Sequence, residues 1–283
     1  MEKKEIKIVG LDLDGTLLTD KKELLPYTKK VIAEALQNGT VVLVATGRPW
    51  TGVPEELREL PGMDYALTAN GARIIETRTG KVLEEHLLSK EAAKKAIAIG
   101  RKYDTLLEVY FDGQGYAQKD EIAQVKKYHK NPNMWDYFLR TRIAVDRLED
   151  LLDEKEGNLD KVQMLFADME ERKEAWKELE REGVFELVGS LQYNIEINAA
   201  GVNKGTGLVN LGKMLGIRRE EIMACGDGDN DIAMLKEVGF GVAMANAEEK
   251  VKAAADYITE SNNEEGAAKA IEKFVLKRGG ESC

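Results

Sequence analysis

The sequence is poor in cysteine and histidine, and it has no long apolar run. Its 283 residues include only two cysteines, Cys225 and Cys283, which are too few for a disulfide framework and wrongly spaced for a zinc site. No apolar stretch reaches the roughly 18 to 20 residues that a membrane-spanning helix needs. The opening residues, MEKKEIKIVG, lack the apolar segment of a signal peptide. We therefore expect a folded cytoplasmic protein without a membrane partner.

Two common phosphate-binding signatures are also missing. The sequence contains no G-x-x-x-x-G-K-[ST], and no G-x-G-x-x-G follows its first apolar run. Its 41 basic and 51 acidic side chains give a net charge of -10, so the overall field repels polyanions. Nucleic acid is therefore not an expected partner, and any phosphate has to be bound by a local group of residues.

Short apolar runs alternate with helical patterns at both ends of the sequence. EIKIVGLDL, VVLVA and YALTA lie in the first part, whereas EIMACG and FGVAMA lie near the end. This alternation predicts an α/β fold with a Rossmann-like parallel-sheet core. Helical and alternating patterns between the two parts are typical of an α+β domain. We therefore predict a core formed by 1–83 and 199–283, an inserted α+β domain at 84–198, and a disordered tail, RGGESC.

Polar side chains follow the predicted strands where the strands end. In open parallel sheets, ligands bind outside the carboxyl ends of the strands, so these side chains are expected to meet. One lysine, at the start of the helix before EIMACG, belongs to the same set. The residues concerned are Asp12, Asp14, Thr46, Lys204, Asp227, Asp229, Asn230 and Asp231.

A cluster of carboxylates needs positive charge. Two carboxylates about 4 Å apart repel each other by about 4 kcal/mol at an effective dielectric constant near 20. Mg²⁺ relieves this repulsion, since it prefers oxygen ligands and also binds phosphate oxygens, and Lys204 adds a further charge. Asp12 and Asp14 are two residues apart on an extended segment, so both can face one substrate. One carboxylate can attack phosphorus while the other transfers protons.

Two further polar patterns are not expected to form sites. The carboxylates that begin at Asp227 copy the start of an EF-hand calcium loop, but Ile232 stands where the loop needs glycine and Val238 where it needs glutamate. In QYNIEIN, alternation places three polar side chains on one strand face, which we expect to be solvated. They are Asn194, Glu196 and Asn198.

Taken in order, the motifs resemble those of the haloacid dehalogenase superfamily of phosphatases, specifically its Cof-like branch. In that branch a large α+β cap is inserted between the second and third motifs. The similarity covers nearly the whole chain and implies the haloacid dehalogenase fold, with 84–198 as the cap. The four motifs are Asp12-Leu13-Asp14-Gly15-Thr16, Thr46-Gly47-Arg48, Lys204 in GVNKGTG, and Gly226-Asp227-Gly228-Asp229-Asn230-Asp231.

The resemblance implies a role for each matching residue. Asp12 is expected to form an aspartyl-phosphate, and Asp14 to act as general acid and base. The implied Mg²⁺ ligands are Asp12, Asp227 and the main-chain carbonyl oxygen of Asp14. Asp231 is expected to orient either Lys204, itself a catalytic residue, or a metal-bound water. The implied phosphate-binding residues are Leu13, Thr46, Gly47, Lys204 and Asn230.

The expected reaction is the hydrolysis of a small phosphorylated metabolite, and the family implies sugar phosphates. Closure of the cap is expected to exclude water and raise the pKa of Asp14, so that this residue begins the cycle protonated. Two other functions stay open. A phosphosugar mutase would release little inorganic phosphate, whereas a catalytically silent phosphosugar sensor would bind phosphosugars without cleaving a panel of phosphate esters.

Overall fold

The structure, a computed structural model, describes residues 5–277; the predicted disordered tail lies outside this range. None of the helices in this range has the length and apolar character needed to cross a membrane. The strands, in chain order, are β1 (Ile8–Leu11), β2 (Val41–Ala45), β3 (Tyr65–Thr68), β4 (Arg73–Glu76), β5 (Lys81–Glu85), β6 (Thr105–Phe111), β7 (Gln114–Gln118), β8 (Arg142–Val145), β9 (Lys161–Phe166), β10 (Phe185–Val188), β11 (Asn194–Ala199), β12 (Ile222–Gly226), β13 (Phe240–Ala243) and β14 (Tyr257–Ile258). The α-helices are α1 (Pro26–Gln37), α2 (Glu55–Arg58), α3 (Lys90–Gly100), α4 (Lys119–Ile122), α5 (Val125–Tyr128), α6 (Trp135–Thr141), α7 (Leu148–Glu154), α8 (Met169–Glu182), α9 (Lys204–Met214), α10 (Ile232–Glu237), α11 (Glu249–Lys252) and α12 (Gly266–Phe274).

The chain forms two compact units. The first is built from the residues up to Glu85 and from Asn203 onward, and the second is His86–Val202. The boundaries predicted from the sequence, 83/84 and 198/199, fall inside β5 and β11. The assignment of 84–198 as an inserted cap domain stays a prediction.

The first unit contains an eight-stranded sheet in the order β14-β13-β12-β1-β2-β3-β4-β5. The strands from β14 to β3 are parallel, and β4 and β5 extend the sheet antiparallel. Successive side chains of β2 point to opposite faces: Val42 and Val44 pack in an apolar cluster with α1 and α12, and Leu43 packs in another with α9. Helices therefore cover both faces, and the predicted α/β core is confirmed.

Strand register brings the ends of the parallel strands together. Leu11, the last residue of β1, is paired with Val44 of β2 on one side and with Cys225 of β12 on the other. The residues that follow these strands therefore leave the sheet at the same edge, as expected for parallel strands. Two of them are Asp12 and Asp227.

The second unit contains a six-stranded sheet in the order β10-β11-β9-β6-β7-β8, which is antiparallel except for the β7–β8 pair. Leu107 and Val109 of β6 pack in the apolar cluster that also holds residues of α3, α7 and α8. Leu106 points to the opposite face, where it packs in a cluster with Phe138 of α6. Alternation along β6 thus supplies two apolar layers.

The polar face of β11 is not solvated, so that prediction is wrong. Asn194, Glu196 and Asn198 are each at most 3% exposed. Glu196 forms an ion pair with the buried Lys161, and Asn198 Nδ2 donates to the carbonyl oxygen of Asp160 at 3.0 Å. Alternation identifies a shared face but not its solvent exposure, and here ion pairing and hydrogen bonds replace water.

Candidate active site

Lys204 is fully buried between two carboxylates. Its Nζ atom lies 2.6 Å from Oδ1 of Asp12 and 2.7 Å from Oδ1 of Asp231. Burial disfavours the ammonium form, but the two carboxylates outweigh this effect and hold the pKa of Lys204 above its usual value. Lys204 is therefore charged, and it joins the end of β1 to the turn that follows β12.

The start of α9 fixes the position of Lys204. The side-chain oxygen of Asn203, the residue before the helix, accepts hydrogen bonds from the backbone N–H groups of Gly205 at 2.8 Å and Thr206 at 2.9 Å. Gly71 passes close to this cap with φ +100°, and a Cβ atom on it would lie 2.4 Å from the carbonyl oxygen of Asn203. Only glycine fits this close approach, because a side chain would be strained and would also clash.

Asp227 lies against the loop that follows β1. Thr16 Oγ1 donates to its Oδ1 at 2.7 Å. Gly15 has φ +88°, and a Cβ atom on it would lie 2.2 Å from Oδ2 of Asp227. Asn246 Nδ2 donates to the Gly15 carbonyl oxygen at 2.9 Å. The Gly15 turn and its neighbours therefore determine where the carboxylate of Asp227 lies.

Asp231 connects Lys204 to the loop after β12. While its Oδ1 binds Lys204, its Oδ2 accepts from the backbone N–H groups of Asp227 at 3.0 Å and Gly228 at 2.9 Å. The lysine and the loop are thereby held by one carboxylate. Asp229, in contrast, pairs with Lys250 at an exposed position.

The carboxylates of Asp12, Asp227 and Asp231 form a cluster that suits a metal ion. Each offers an oxygen, and these oxygens lie within 4.8 Å of one another. Burial raises the pKa of Asp12 to about 7 and that of Asp227 to about 8; carboxylate neighbours add to both shifts, and Lys204 opposes both. A divalent cation with a preference for oxygen would favour the ionised forms. Because Asp231 already binds Lys204 and two backbone N–H groups, Asp12 and Asp227 are the side chains best suited to hold the ion.

Asp14 is held by two cationic side chains. Arg48 donates from Nε to its Oδ2 at 2.8 Å and from Nη2 to its Oδ1 at 2.7 Å, and Lys22 donates to Oδ1 at 2.7 Å. Burial would raise the pKa of Asp14, but Arg48 and then Lys22 outweigh it, and the pKa lies below its usual value. The sequence reasoning did not include these two cations, and a raised pKa of Asp14 on closure of the cap stays a prediction.

The predicted phosphate-binding residues follow β1, β2 and β12. Thr46 is buried at the end of β2; its hydroxyl oxygen accepts from the backbone N–H of Arg48 at 3.1 Å, and Gly47 is the next residue. Leu13 has its side chain in the apolar core, so it can offer a phosphate only its main chain. Asn230 is buried in the turn Asp229–Asp231. The role of these residues in phosphate binding stays a prediction.

Sequence reasoning gave no role to several residues that contact this site. Arg48 and Thr16 lie inside the sequence motifs, and this position in the motifs indicated that they belong to the site. Asn246 follows β13 by three residues. Because ligands bind outside the carboxyl ends of parallel strands, the polar residues after β13 were a signal for it. Lys22 offered no such signal, because it reaches Asp14 from a turn in which Lys22 itself has a left-handed φ of 64°.

Comparisons with known proteins find similarity over nearly the whole chain. The sequence model of a family described as haloacid dehalogenase-like hydrolase matches residues 9–271. The 5-amino-6-(5-phospho-D-ribitylamino)uracil phosphatase YcsE of Bacillus subtilis is 33% identical over 273 residues, which are 96% of this chain and 97% of that protein. A haloacid dehalogenase-like hydrolase from B. subtilis has a similar structure, with a TM-score of 0.83, 26% identity, and coverage of 95% of this chain and 99% of its own.

A second solved structure is similar to the same extent. It is a sugar phosphatase of haloacid dehalogenase subclass IIB, with a TM-score of 0.78 and 26% identity, and the match covers 95% of this chain and 98% of that one. The similarity in sequence and in fold therefore extends over both compact units, and two of these relatives, YcsE and the subclass IIB protein, are named as phosphatases.

Proposed function

Because the chain belongs to the haloacid dehalogenase-like hydrolases, in their Cof-like branch, and is a phosphatase, we propose that it uses Mg²⁺ and an aspartyl-phosphate on Asp12 to hydrolyse phosphate monoesters of sugars or related polyols. The observation that carries the proposal is the buried group formed by Lys204 and the carboxylates of Asp12, Asp227 and Asp231. A charged lysine beside a nucleophile and a set of oxygen ligands is what phosphoryl transfer requires.

The residues suited to Mg²⁺ are Asp12, Asp227 and, as the family resemblance implies, the main-chain carbonyl oxygen of Asp14. When bound, the ion neutralises charge on the phosphoryl oxygens and allows both carboxylates to stay ionised. The raised pKa values of Asp12 and Asp227 support this proposal, because two such carboxylates need a nearby cation to be ionised together at neutral pH.

In the first step, Asp12 attacks the substrate. The ammonium group of Lys204 holds Oδ1 of Asp12, which leaves the other carboxylate oxygen to form a bond with phosphorus. As that bond forms, the bond from phosphorus to the leaving oxygen breaks, and Asp14 gives a proton to that oxygen. Because Arg48 and Lys22 lower the pKa of Asp14, this carboxylate has to take up that proton from solvent before the step. The phosphoryl oxygens would be bound by Lys204 together with Thr46, Gly47, Asn230 and the main chain at Leu13.

In the second step, water releases the phosphate. Asp14, now a carboxylate, takes a proton from a water molecule while the water oxygen bonds to phosphorus and the bond to Asp12 breaks. The products are an alcohol and inorganic phosphate, and Asp14 carries a proton again. One carboxyl group thus serves as acid and then as base.

The substrate class is supported by two relatives. One is named for a phosphorylated ribityl group and the other as a sugar phosphatase. Both names describe a phosphate on a chain or ring that carries several hydroxyl groups. We therefore assign phosphorylated sugars and polyols to this chain as its substrate class.

The test is a phosphate-release assay with Mg²⁺ on hexose phosphates, pentose phosphates, a polyol phosphate and a nucleoside monophosphate, with Asp12→Asn as the blank. Release from the sugar or polyol phosphates by the wild type alone, and its loss on chelation, is the expected result. Equal release by Asp12→Asn would contradict the role of Asp12. Binding of phosphosugars without release would favour a sensor, and little release together with dependence on a sugar bisphosphate would favour a mutase.

A further inference from the structure

The carboxylate of Asp14 is restrained at both of its oxygens. Oδ1 accepts two hydrogen bonds, from Nη2 of Arg48 and from Nζ of Lys22, and Oδ2 accepts one, from Nε of Arg48. A carboxylate offers about four lone-pair positions in all. These three bonds fill both positions of Oδ1 and one of Oδ2, so the position that they leave for a proton is on Oδ2.

Arg48 is itself fixed by the surrounding backbone. Its Nη1 donates to the carbonyl oxygen of Gly52 at 2.9 Å, and its backbone N–H donates to Thr46 Oγ1 at 3.1 Å. The backbone N–H of Ala69 donates to the Arg48 carbonyl oxygen at 3.2 Å. The planar guanidinium therefore meets Asp14 from a prearranged position.

Lys22 is less restrained than Arg48. Its side chain is 36% exposed, compared with 17% for the side chain of Arg48. Lys22 contributes one donor on a flexible stem, whereas Arg48 contributes two donors in a fixed plane. The orientation of the Asp14 carboxylate is therefore set by Arg48.

We propose that Arg48 is a positioning residue that orients Asp14 so that protons pass through Oδ2. The inference rests on the proposed function. As the ester bond of the substrate breaks, the proton on Oδ2 moves to the leaving oxygen. As the water oxygen then bonds to phosphorus and the bond to Asp12 breaks, Oδ2 takes a proton from that water. Both transfers need a donor and an acceptor in hydrogen-bond reach, so a freely rotating carboxylate slows them.

Two substrates separate this role from a general loss of structure. p-Nitrophenolate leaves without a proton, so kcat/KM for p-nitrophenyl phosphate does not depend on Asp14 as an acid. The leaving oxygen of a hexose phosphate does need a proton. Hydrolysis of the aspartyl-phosphate needs Asp14 as a base whichever substrate formed it, and this step contributes to kcat alone.

The experiment compares the wild type with Arg48→Gln and Arg48→Lys on p-nitrophenyl phosphate and on a hexose phosphate. For Arg48→Gln we expect kcat/KM for the hexose phosphate to fall at least about tenfold, which is part of the roughly 10²- to 10⁴-fold that general acid–base catalysis supplies. For p-nitrophenyl phosphate we expect kcat and KM to fall together, so that kcat/KM stays within about threefold of the wild type. A burst of p-nitrophenolate then marks the accumulated intermediate. Arg48→Lys keeps the charge without the planar guanidinium. Its kcat/KM for the hexose phosphate is expected to lie between those of the wild type and Arg48→Gln.

Two further variants complete the test. Arg58→Gln is the matched control, since Arg58 donates to the carbonyl oxygen of Val53 at 3.1 Å in the neighbouring segment, and its kinetics should equal those of the wild type. Adding Arg48→Gln to Asp14→Asn should not lower kcat/KM for the hexose phosphate any further, because Arg48 acts through Asp14.

Three results would overturn the inference. An equal fall of kcat/KM for both substrates would place Arg48 in phosphate binding or folding. Unchanged kinetics of Arg48→Gln would show that it positions nothing. A wild type that releases phosphate from neither substrate would reject the proposed function itself, and the inference with it.

Discussion

The ammonium nitrogen of Lys204 lies 2.6 Å from Oδ1 of Asp12, although the two residues are 192 positions apart in the chain. The side chain of Lys204 is fully buried and that of Asp12 is 9% exposed. Removing such charges from water is costly, and their attraction offsets the cost only while both partners and their hydrogen bonds are in place. The end of β1 and the start of α9 therefore depend on each other.

Replacing the buried lysine is expected to destabilise the protein. Lys204→Met leaves Asp12 and Asp231 buried beside each other without a cation, so we expect the free energy of unfolding at pH 8 to fall by about 3 to 5 kcal/mol. Urea denaturation measures it. Lys250→Met is the control, because Lys250 pairs with Asp229 at an exposed position, and its effect should stay within about 1 kcal/mol. Equal losses for the two variants would contradict the proposed burial cost.

The stability of the metal-free protein should fall as the pH rises. The pKa values of Asp12 and Asp227, about 7 and about 8, exceed the ordinary value near 4, so the folded state keeps protons that the unfolded chain has released between about pH 4 and pH 8. Protonation thus favours folding in this window, and the contribution is lost as the pH approaches 8. A thermal-unfolding series with a chelator measures it.

Added Mg²⁺ should reverse this trend. The ion competes with the protons on Asp12 and Asp227, so the increase in Tm on addition of Mg²⁺ is expected to be larger at pH 8 than at pH 6. In Asp227→Asn both the increase and its pH dependence should shrink. An increase in Tm of the same size at both pH values would reject these two residues as the ligands.

Loss of the hydroxyl that orients Asp227 should weaken metal binding. Thr16→Val keeps the shape of the side chain but removes the donor at 2.7 Å from Oδ1 of Asp227, and loss of such a ligand-orienting contact typically lowers metal affinity by about 10- to 100-fold. The Mg²⁺ dependence of activity measures this. Thr19→Val, in the same loop, removes a hydroxyl that accepts from the backbone N–H of Glu23, and it should leave the Mg²⁺ dependence unchanged.

Two glycines with nearly the same backbone conformation should differ in their tolerance of alanine. Gly39 has φ +84°, and a Cβ atom on it would meet no neighbouring side chain or backbone within 4 Å. A Cβ atom on Gly15, at φ +88°, would lie 2.2 Å from Asp227 Oδ2. Gly39→Ala is therefore expected to lower the free energy of unfolding by about 1 to 2 kcal/mol and to leave the activity unchanged. Gly15→Ala should cost more and abolish phosphate release. Similar activity in the two variants would show that Gly15 serves only the turn.

Much of the fold could be predicted because the strands are short, apolar and followed directly by polar residues. The parallel core and the family are confirmed, and the same rule singled out Asp12 and Asp227, which the structure places in one cluster. The antiparallel pair β4 and β5 was not predicted. It extends the sheet at its edge, and the half-exposed β5 lacks a continuous apolar run.

The charge environment could not be read from local sequence. Whether the polar face of β11 meets water depends on Lys161, which lies on another strand. The pKa of Asp14 depends on Arg48, 34 positions away, and on a left-handed turn at Lys22. Partners of this kind are determined by tertiary structure. A sequence pattern therefore identifies the kind of site but does not determine the protonation states of its residues.

The central place of β1, between β2 and β12, also bears on synthesis at the ribosome. Asp12 is synthesised early. Lys204, which binds it, comes 192 positions later, and β12, which pairs with β1, follows Lys204. A nascent chain that stops short of α9 has the carboxylate of Asp12 without Lys204, Asp227 and Asp231. Translation must therefore pass β12 before Asp12, Lys204 and Asp227 can come together.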